Sequence, residues 1–228
     1  MFETINVIGA GRVGSAVSAR LQERGVDVRT EAELILLCVP DSVIVEVARA
    51  IERGPWVAHV SGATSLRALD PHVRRFGVHP LQTFTLARGP EQLDGAWAAI
   101  TAETDDARGR GQWLAQTLGL RAFDLADDAR SLYHAGAAIA SNYLVTLHEA
   151  ASRLFEAAGA PPEALVPLMT RTIENGFELT GPIARGDWGT VERHVAAIRE
   201  AVPELEAMYT KLAEATAVLA GREGLVTR

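Results

Sequence analysis

The chain has 228 residues, 48% of them hydrophobic, a formal net charge of -7 and one cysteine. That length buries a proper core as one large domain or two small ones, while the acidic balance argues against a nucleic-acid backbone or an anionic membrane as partner, since both need a basic face. A lone cysteine, Cys38, excludes a disulfide framework and a cysteine metal site, and no metal is expected.

The N-terminus carries no basic stretch followed by an apolar one, and no apolar run reaches the ~18 residues that span a bilayer, so a cytoplasmic protein is the expectation. Twenty-one of the 22 basic residues are arginine, and Lys211 is the sole lysine. Arginine clamps anions but does not shuttle protons at neutral pH. General acids and bases therefore come from His, Asp, Glu, Tyr or Lys211.

Residues 4–8, Thr4-Ile5-Asn6-Val7-Ile8, run into Gly9-Ala10-Gly11-Arg12-Val13-Gly14, and an amphipathic stretch over 15–24 stops at Gly25. This is strand, glycine turn and helix. Gly9 permits the tight turn, Gly11 lets a pyrophosphate approach the backbone, and Gly14 lets helix and strand pack closely. The helix N-terminus, with Arg12 and Val13 in its first turn, then offers free N–H groups and a positive dipole end to phosphates. A dinucleotide site is expected here, against an empty glycine turn in a sheet of the same kind.

A short second strand at 26–29 and a buried parallel strand at 34–39 follow, with only residues 30–33 between them. Parallel neighbours need a crossover of about a dozen residues, usually a helix. Either the second strand is vestigial or a bare strap replaces the helix. The end of that strand normally holds the adenosine ribose, through an acid for NAD or a basic group for NADP. Arg29 tilts the expectation to NADP, with NAD as the alternative.

Ser42 is a candidate N-cap for a helix over 43–53, Gly54-Pro55 ends it, and residues 56–60 form the next strand. Ser61-Gly62-Ala63-Thr64 is a loop at that strand's carboxyl end. Ser65 caps a helix expected to reach residue 76, Gly77 ends it, and His79-Pro80 follows. A strand over 96–102, a helix over 105–118 and a strand over 121–125 complete the alternation. Beyond Asp127 the pattern is helical, with a long helix over 128–158, breaks at 159–162 and 180–189, and a kink at Pro203. Two domains are expected, 1–126 and 127–228.

Open α/β sheets bind ligands outside the carboxyl ends of their strands. The residues there are Val39-Pro40-Asp41, Ser61-Gly62 and His79-Pro80. Asp41 either touches a ribose or caps the next helix. Ser61-Gly62 either holds a substrate carboxylate or is a plain turn. His79 precedes proline and so lies in extended chain, as a functional or a structural histidine. On the long helix His134, Ala138 and Asn142 fall at i, i+4 and i+8 and share one face among small residues. That face either contacts a helix or binds a ligand through His134 and Asn142. In the loop 179–187, which includes Thr180, Arg185 either clamps a carboxylate or pairs with Asp187.

Together, Gly9 to Gly14, Cys38-Val39-Pro40-Asp41, His59-Val60-Ser61-Gly62-Ala63, His79-Pro80-Leu81-Gln82-Thr83-Phe84, Tyr133-His134-Ala135-Gly136-Ala137 with Ser141-Asn142, and the segment 179–187 with Thr190 and His194 carry a resemblance. From residue 5 to about 215 the chain resembles the Rossmann-like proteins whose helical half is the domain of unknown function 2520. The resemblance implies an α/β fold with a mostly parallel Rossmann-like sheet binding NADP, its crossover truncated here. An all-helical domain akin to that of 6-phosphogluconate dehydrogenase would follow, usually in a homodimer. Some members of the family look like an alternative ketopantoate reductase. His79-Pro80 is similar to the His-Pro of prephenate dehydrogenases, where such a histidine is catalytic. The lysine that acts as general acid on the first long helix of related hydroxyacid dehydrogenases is missing here. His134 is its substitute, or Arg130 fills the position without acid function.

The expected activity is NADP-dependent reduction of a small oxo acid, or oxidation of the matching hydroxy acid, in the cleft between the domains. His134 donates the proton, Asn142 orients the carbonyl, Ser61, Gly62, Thr180 and Arg185 hold the substrate, and His79 is the alternative acid. Gly9, Gly11, Arg12, Val13, Gly14, Arg29, Val39 and Pro40 hold the cofactor. The alternative is a dinucleotide-binding sensor without turnover.

Overall fold

A computed structural model of the chain describes residues 1–222. It divides into two compact units, Met1–Ser141 and Asn142–Arg228. The first unit reaches past the last strand because the helix that follows, with Arg130 and Tyr133, bonds back to the sheet.

The first unit holds a seven-stranded sheet in the order β2-β1-β3-β4-β5-β6-β7. The strands are β1 (Thr4–Ile8), β2 (Asp27–Val28), β3 (Leu34–Leu37), β4 (Trp56–His59), β5 (Arg75–Leu81), β6 (Trp97–Thr101) and β7 (Arg121–Asp124). Strands β1 to β5 are parallel, β6 runs antiparallel to β5, and β7 is parallel to β6. This is the mostly parallel Rossmann-like sheet expected from the sequence.

Period-two alternation sorts the strand residues onto two faces. Ile5, Leu34, Leu36, Ala58, Phe76 and Val78 point to the face covered by α1 (Arg12–Glu23) and α3 (Asp105–Thr117), where Val17, Leu21 and Leu114 are fully buried. Leu37 and Val57 point to the other face, under α2 (Ile44–Ala50) and a 3-10 turn at Leu66–Leu69. At the foot of the sheet Phe2 packs against Trp56, Phe76 and Trp113, and the Arg110 guanidinium lies 4.6 Å from the Trp56 ring centroid.

Three local expectations give way. Ser42 caps nothing: a 3-10 turn at Asp41–Val43 comes first, and α2 begins at Ile44 with no side-chain cap. Ser65 does cap, accepting from the Arg67 amide, but the helix stops at Leu69 because Pro71 has no N–H with which to continue it. Arg75 to Leu81 is strand instead, so Gly77 is a strand interior residue facing a buried side chain. Thr104 caps α3 as its first turn requires, its hydroxyl accepting from the Ala107 amide at 3.2 Å.

After β7 come α4 (Arg130–Ala138) and a π-turn at Ile139–Tyr143. The second unit is helical: α5 (Leu144–Ala157), α6 (Leu165–Glu174), the short α7 (Pro182–Arg185), α8 (Trp188–Ala201) and α9 (Glu206–Leu219). Helices α5 and α6 pack on each other, and α8 packs on α7 and α9. Pro203 ends α8 outright and opens a 3-10 turn. The π-turn widens the helical repeat from four residues to five. The i, i+4, i+8 alignment of His134, Ala138 and Asn142 is therefore broken before Asn142.

Candidate active site

The glycine turn forms as the motif demands. Gly9 has φ of 116°, and a Cβ on it would stand 2.3 Å from the Cys38 carbonyl oxygen; one on Gly14 would stand 1.8 Å from the Gly9 oxygen. Backbone therefore fills both places. A Cβ on Gly11 would meet nothing within 4 Å. Gly11 is also the N-cap of α1, without a side-chain cap, and the first turn holds no acid. An outward-facing glycine in front of uncapped amides is a cradle that fits the phosphates of a dinucleotide. Arg12 is exposed and Val13 half-buried at its rim, while Val39 and Pro40 follow β3 beside it.

The adenosine side is different. β2 pairs only with Thr4 and Ile5, whereas β1 continues to Ile8. At ~3.3 Å per residue, β2 ends about 10 Å short of the carboxyl edge. The strap back to β3 is stitched to β1: Asn6 Nδ2 donates to the Thr30 oxygen at 3.0 Å, and the Glu33 carboxylate accepts from the Glu3 amide at 2.6 Å. The backbone amides of Glu3 and Thr4 hold the Glu33 carboxyl below its ordinary pKa. Both alternatives read from the sequence thus hold, a vestigial strand and a bare strap. Arg29 serves the strap, donating to the Glu31 oxygen at 2.9 Å and standing 3.6 Å from the Asp27 carboxylate.

Farther along the carboxyl edge, β5 and α4 bring His79, Tyr133 and His134 together at Gly62, in the loop after β4. His79 lies on β5 two residues beyond the last β4 partner, paired with Ala99 of β6. Its Nδ1 is 2.8 Å from the Tyr133 hydroxyl, and its ring centroid is 5.9 Å from that of His134. A Cβ on Gly62 would lie 2.5 Å from His134 Cδ2 and 2.9 Å from His79 Nε2. Only glycine allows both imidazoles to close over this loop. Burial, then the neighbouring His134 and Arg130, lower the His79 pKa to about 4 against a weaker pull from Asp41, so the ring is neutral at physiological pH. Burial raises the Tyr133 pKa to about 12, keeping the phenol protonated.

Beneath this group Arg130 is buried, 1% exposed, with its guanidinium against Gly77. It donates to Thr101 Oγ1 at 2.7 Å and to the Ser61 carbonyl, while its Nε has no partner. Arg130 therefore sets the loop that carries Gly62. His59, also fully buried, has neither ring nitrogen paired, and burial followed by the charge of Arg130 lowers its pKa to about 3. No role for His59 follows from the sequence. Its one signal is a histidine at the end of an otherwise apolar strand.

Ser61 does not reach outward. Its hydroxyl donates to Asp41 Oδ2 at 2.7 Å and accepts from the Thr64 and Ala63 amides at 3.0 and 3.3 Å. These bonds use its donor and both lone pairs, so Ser61 shapes the turn and has nothing left for a substrate carboxylate. Asp41 is its partner through Oδ2 and caps no helix through its side chain.

The second unit holds the other expected site residues. Asn142, Thr180 and Arg185 are all exposed. Gly181, with φ of 100°, and Pro182 open α7, and Arg185 lies at its end. Asp187 is committed elsewhere: it caps α8, accepting from the Thr190 amide and hydroxyl at 3.1 and 2.7 Å. Arg185 is left without an ion pair to it. His194 Nδ1 lies 2.7 Å from the Tyr209 hydroxyl. Among the described residues no group of three or more His, Cys, Asp or Glu is placed to hold a metal ion, and no helix is long and apolar enough to cross a membrane.

Comparison with known proteins agrees with this architecture. Residues 96–216 match the model of the domain of unknown function DUF2520, and residues 22–84 match that of a Rossmann-like domain. A candidate NADP oxidoreductase from Bacteroides fragilis is 20% identical, with TM-score 0.79 over 94% of this chain and 98% of that one. A Thermotoga maritima protein is also 20% identical, with TM-score 0.76 over 95% and 98%. The 1-pyrroline-5-carboxylate reductase of Streptococcus pyogenes is 15% identical, with TM-score 0.60 over 95% and 97%. Among curated proteins no sequence match was found.

Proposed function

For this chain, which belongs to the DUF2520 family, we propose a nicotinamide-dinucleotide-dependent oxidoreductase that reduces a small oxo acid. The observation that carries the reading is the paired imidazoles of His79 and His134 closing over Gly62, on the sheet edge that also bears the Gly9–Gly14 cradle. The fold-level likeness to a candidate NADP oxidoreductase and to a pyrroline-carboxylate reductase supports it.

A bound nicotinamide dinucleotide supplies the hydride. The amides after Gly11 bind its phosphates, with Gly9 and Gly14 keeping the turn tight. Beside the paired imidazoles the substrate carbonyl meets His134, which gives the proton to the oxygen as the carbonyl carbon is reduced. His79, neutral at physiological pH, is a poor proton source there, so the acid role falls to His134. Arg130 holds the floor of the site through the Ser61 carbonyl. NADP is the proposed cofactor, with NAD as the competitor in the test, since Arg29 is engaged by its own strap.

Fluorescence titration with NADPH and NADH, followed by a screen of oxo acids for oxidation of the reduced cofactor, tests the proposal. His134→Ala should then lower turnover by roughly a hundredfold or more. Unchanged turnover removes His134 as the acid. The two-residue β2 favours a second reading, a dinucleotide-binding protein without turnover. Binding without oxidation by any candidate would select it.

A further inference from the structure

His79 has two nitrogens with different surroundings. Nδ1 faces the Tyr133 hydroxyl at 2.8 Å, and Nε2 lies over Gly62 with no hydrogen-bond partner among the described residues. The Tyr133 ring is itself fixed, edge-on to His79 at 5.5 Å between centroids and to Phe123 at 5.9 Å. A neutral imidazole carries one proton, and the hydrogen bond at one nitrogen decides which tautomer forms.

Two arguments assign that bond. A phenol is a much stronger acid than a neutral imidazole N–H, so O–H to nitrogen is the better direction. The Tyr133 hydroxyl also has no other acceptor among the described residues. Were Nδ1–H to donate, the half-buried phenol proton would be left unpaired, at a cost. The charged and titratable groups around His79 do not favour a second ring proton. Burial, His134 and Arg130 oppose it, the Asp41 carboxylate favours it more weakly, and Tyr133 stays protonated.

We propose that Tyr133 is a positioning residue: its hydroxyl donates to His79 Nδ1, fixes the Nε2–H tautomer and leaves that N–H as the ring's free donor, for a carbonyl or carboxylate oxygen of a substrate bound beside the two imidazoles. His79 then polarises and orients the substrate while His134 moves the proton. The substrate half of this inference rests on the reductase reading, whereas the tautomer does not.

The test is a long-range proton–nitrogen correlation spectrum of the histidine rings of the full chain at neutral pH without ligand, the His79 signals being identified by their loss in His79→Gln. His72 is an internal reference, because its buried Nε2 lies 2.8 Å from the Ala48 carbonyl and must carry the proton. His79 should show the same tautomer as His72. In Tyr133→Phe the His79 signals should move to those of a tautomer mixture while His72 stays unchanged. A proton on His79 Nδ1 in the wild type overturns the proposal, as does a Tyr133→Phe spectrum identical to wild type. If His72 also shifts, the variant is misfolded and the wild-type tautomer alone decides. Failure of NADPH and NADH to bind would remove the reductase reading and leave the tautomer result standing.

Discussion

Exchanging Gly11 and Gly14 for alanine separates the two duties of the glycine turn. At Gly14 the new methyl would lie 1.8 Å from the Gly9 carbonyl oxygen and 3.1 Å from Cys38 Cβ. The first obstacle is backbone, so the helix itself must move. Overpacking of this kind costs about 1–3 kcal/mol, and a backbone clash belongs at the upper end. At Gly11, with φ of -77° and ψ of -168°, alanine is sterically free and meets nothing within 4 Å. Alanine there gains about 0.4–1 kcal/mol by narrowing the unfolded ensemble, and loses a comparable amount because it is a poorer N-cap than glycine. The net change should lie close to zero. The methyl instead occupies the space in which phosphates would sit, so dinucleotide affinity should fall at least tenfold, about 1.4 kcal/mol. Urea denaturation and NADPH fluorescence titration read the two effects. Gly11→Ala that binds as tightly as wild type, or that destabilises as much as Gly14→Ala, would refute the reasoning.

Acid should weaken the fold through buried imidazoles. The folded His59 titrates at about 3 and the folded His79 at about 4, both below their ordinary 6.5. In the window between, the unfolded chain binds protons that the folded chain refuses. Their contribution is complete above 6.5 and declines as pH falls toward the folded values, by up to about 1.4 kcal/mol per unit for each ring. Denaturation midpoints at pH 7 and pH 5 should show the drop, and His59→Asn should reduce it; an equal drop in that variant contradicts the assignment. Arg130→Met removes two charge-assisted hydrogen bonds, to Thr101 Oγ1 and the Ser61 carbonyl, and should cost about 3 kcal/mol by the same denaturation assay. A loss below about 1 kcal/mol would show that the buried guanidinium is dispensable. Gly62→Ala places a methyl 2.5 Å from His134 Cδ2. It should displace both imidazoles, shifting their ring signals and abolishing most turnover, with a smaller effect on NADPH affinity; an unchanged spectrum would exclude the close packing.

The regular part of the sheet is legible because its strands are short apolar runs and its helices lie between glycine and proline breaks. The antiparallel direction of β6 was not legible, since alternation is the same in either direction. The helical expectation for residues 70–76 fails because Pro71 outweighs the Ser65 cap. The candidate site was half legible. His79, His134 and Gly62 were named from their places at strand ends and on a helix face, and the structure brings those three together. Of the two readings of Ser61 the turn is the one the hydrogen bonds fit, and its partner Asp41 lies 20 residues away in sequence, a pairing that no local pattern announces. Arg130 is legible in the sequence only as a residue that fills the missing lysine's position without acid function, and its burial becomes visible only where Gly77 leaves room for it. The π-turn at Ile139–Tyr143 likewise leaves no mark in a 3.6-residue pattern, so Asn142 was placed on a face that the helix does not extend to it.

The central claim is tested most directly by one experiment: excess protein is loaded with NADPH, and the fluorescence of the bound reduced cofactor is followed while small oxo acids are added one at a time. The expected result is an enhanced bound signal that at least one oxo acid discharges, and that persists on the same timescale in His134→Ala. No bound signal with NADPH or NADH, or a signal that every oxo acid leaves intact, would contradict the account.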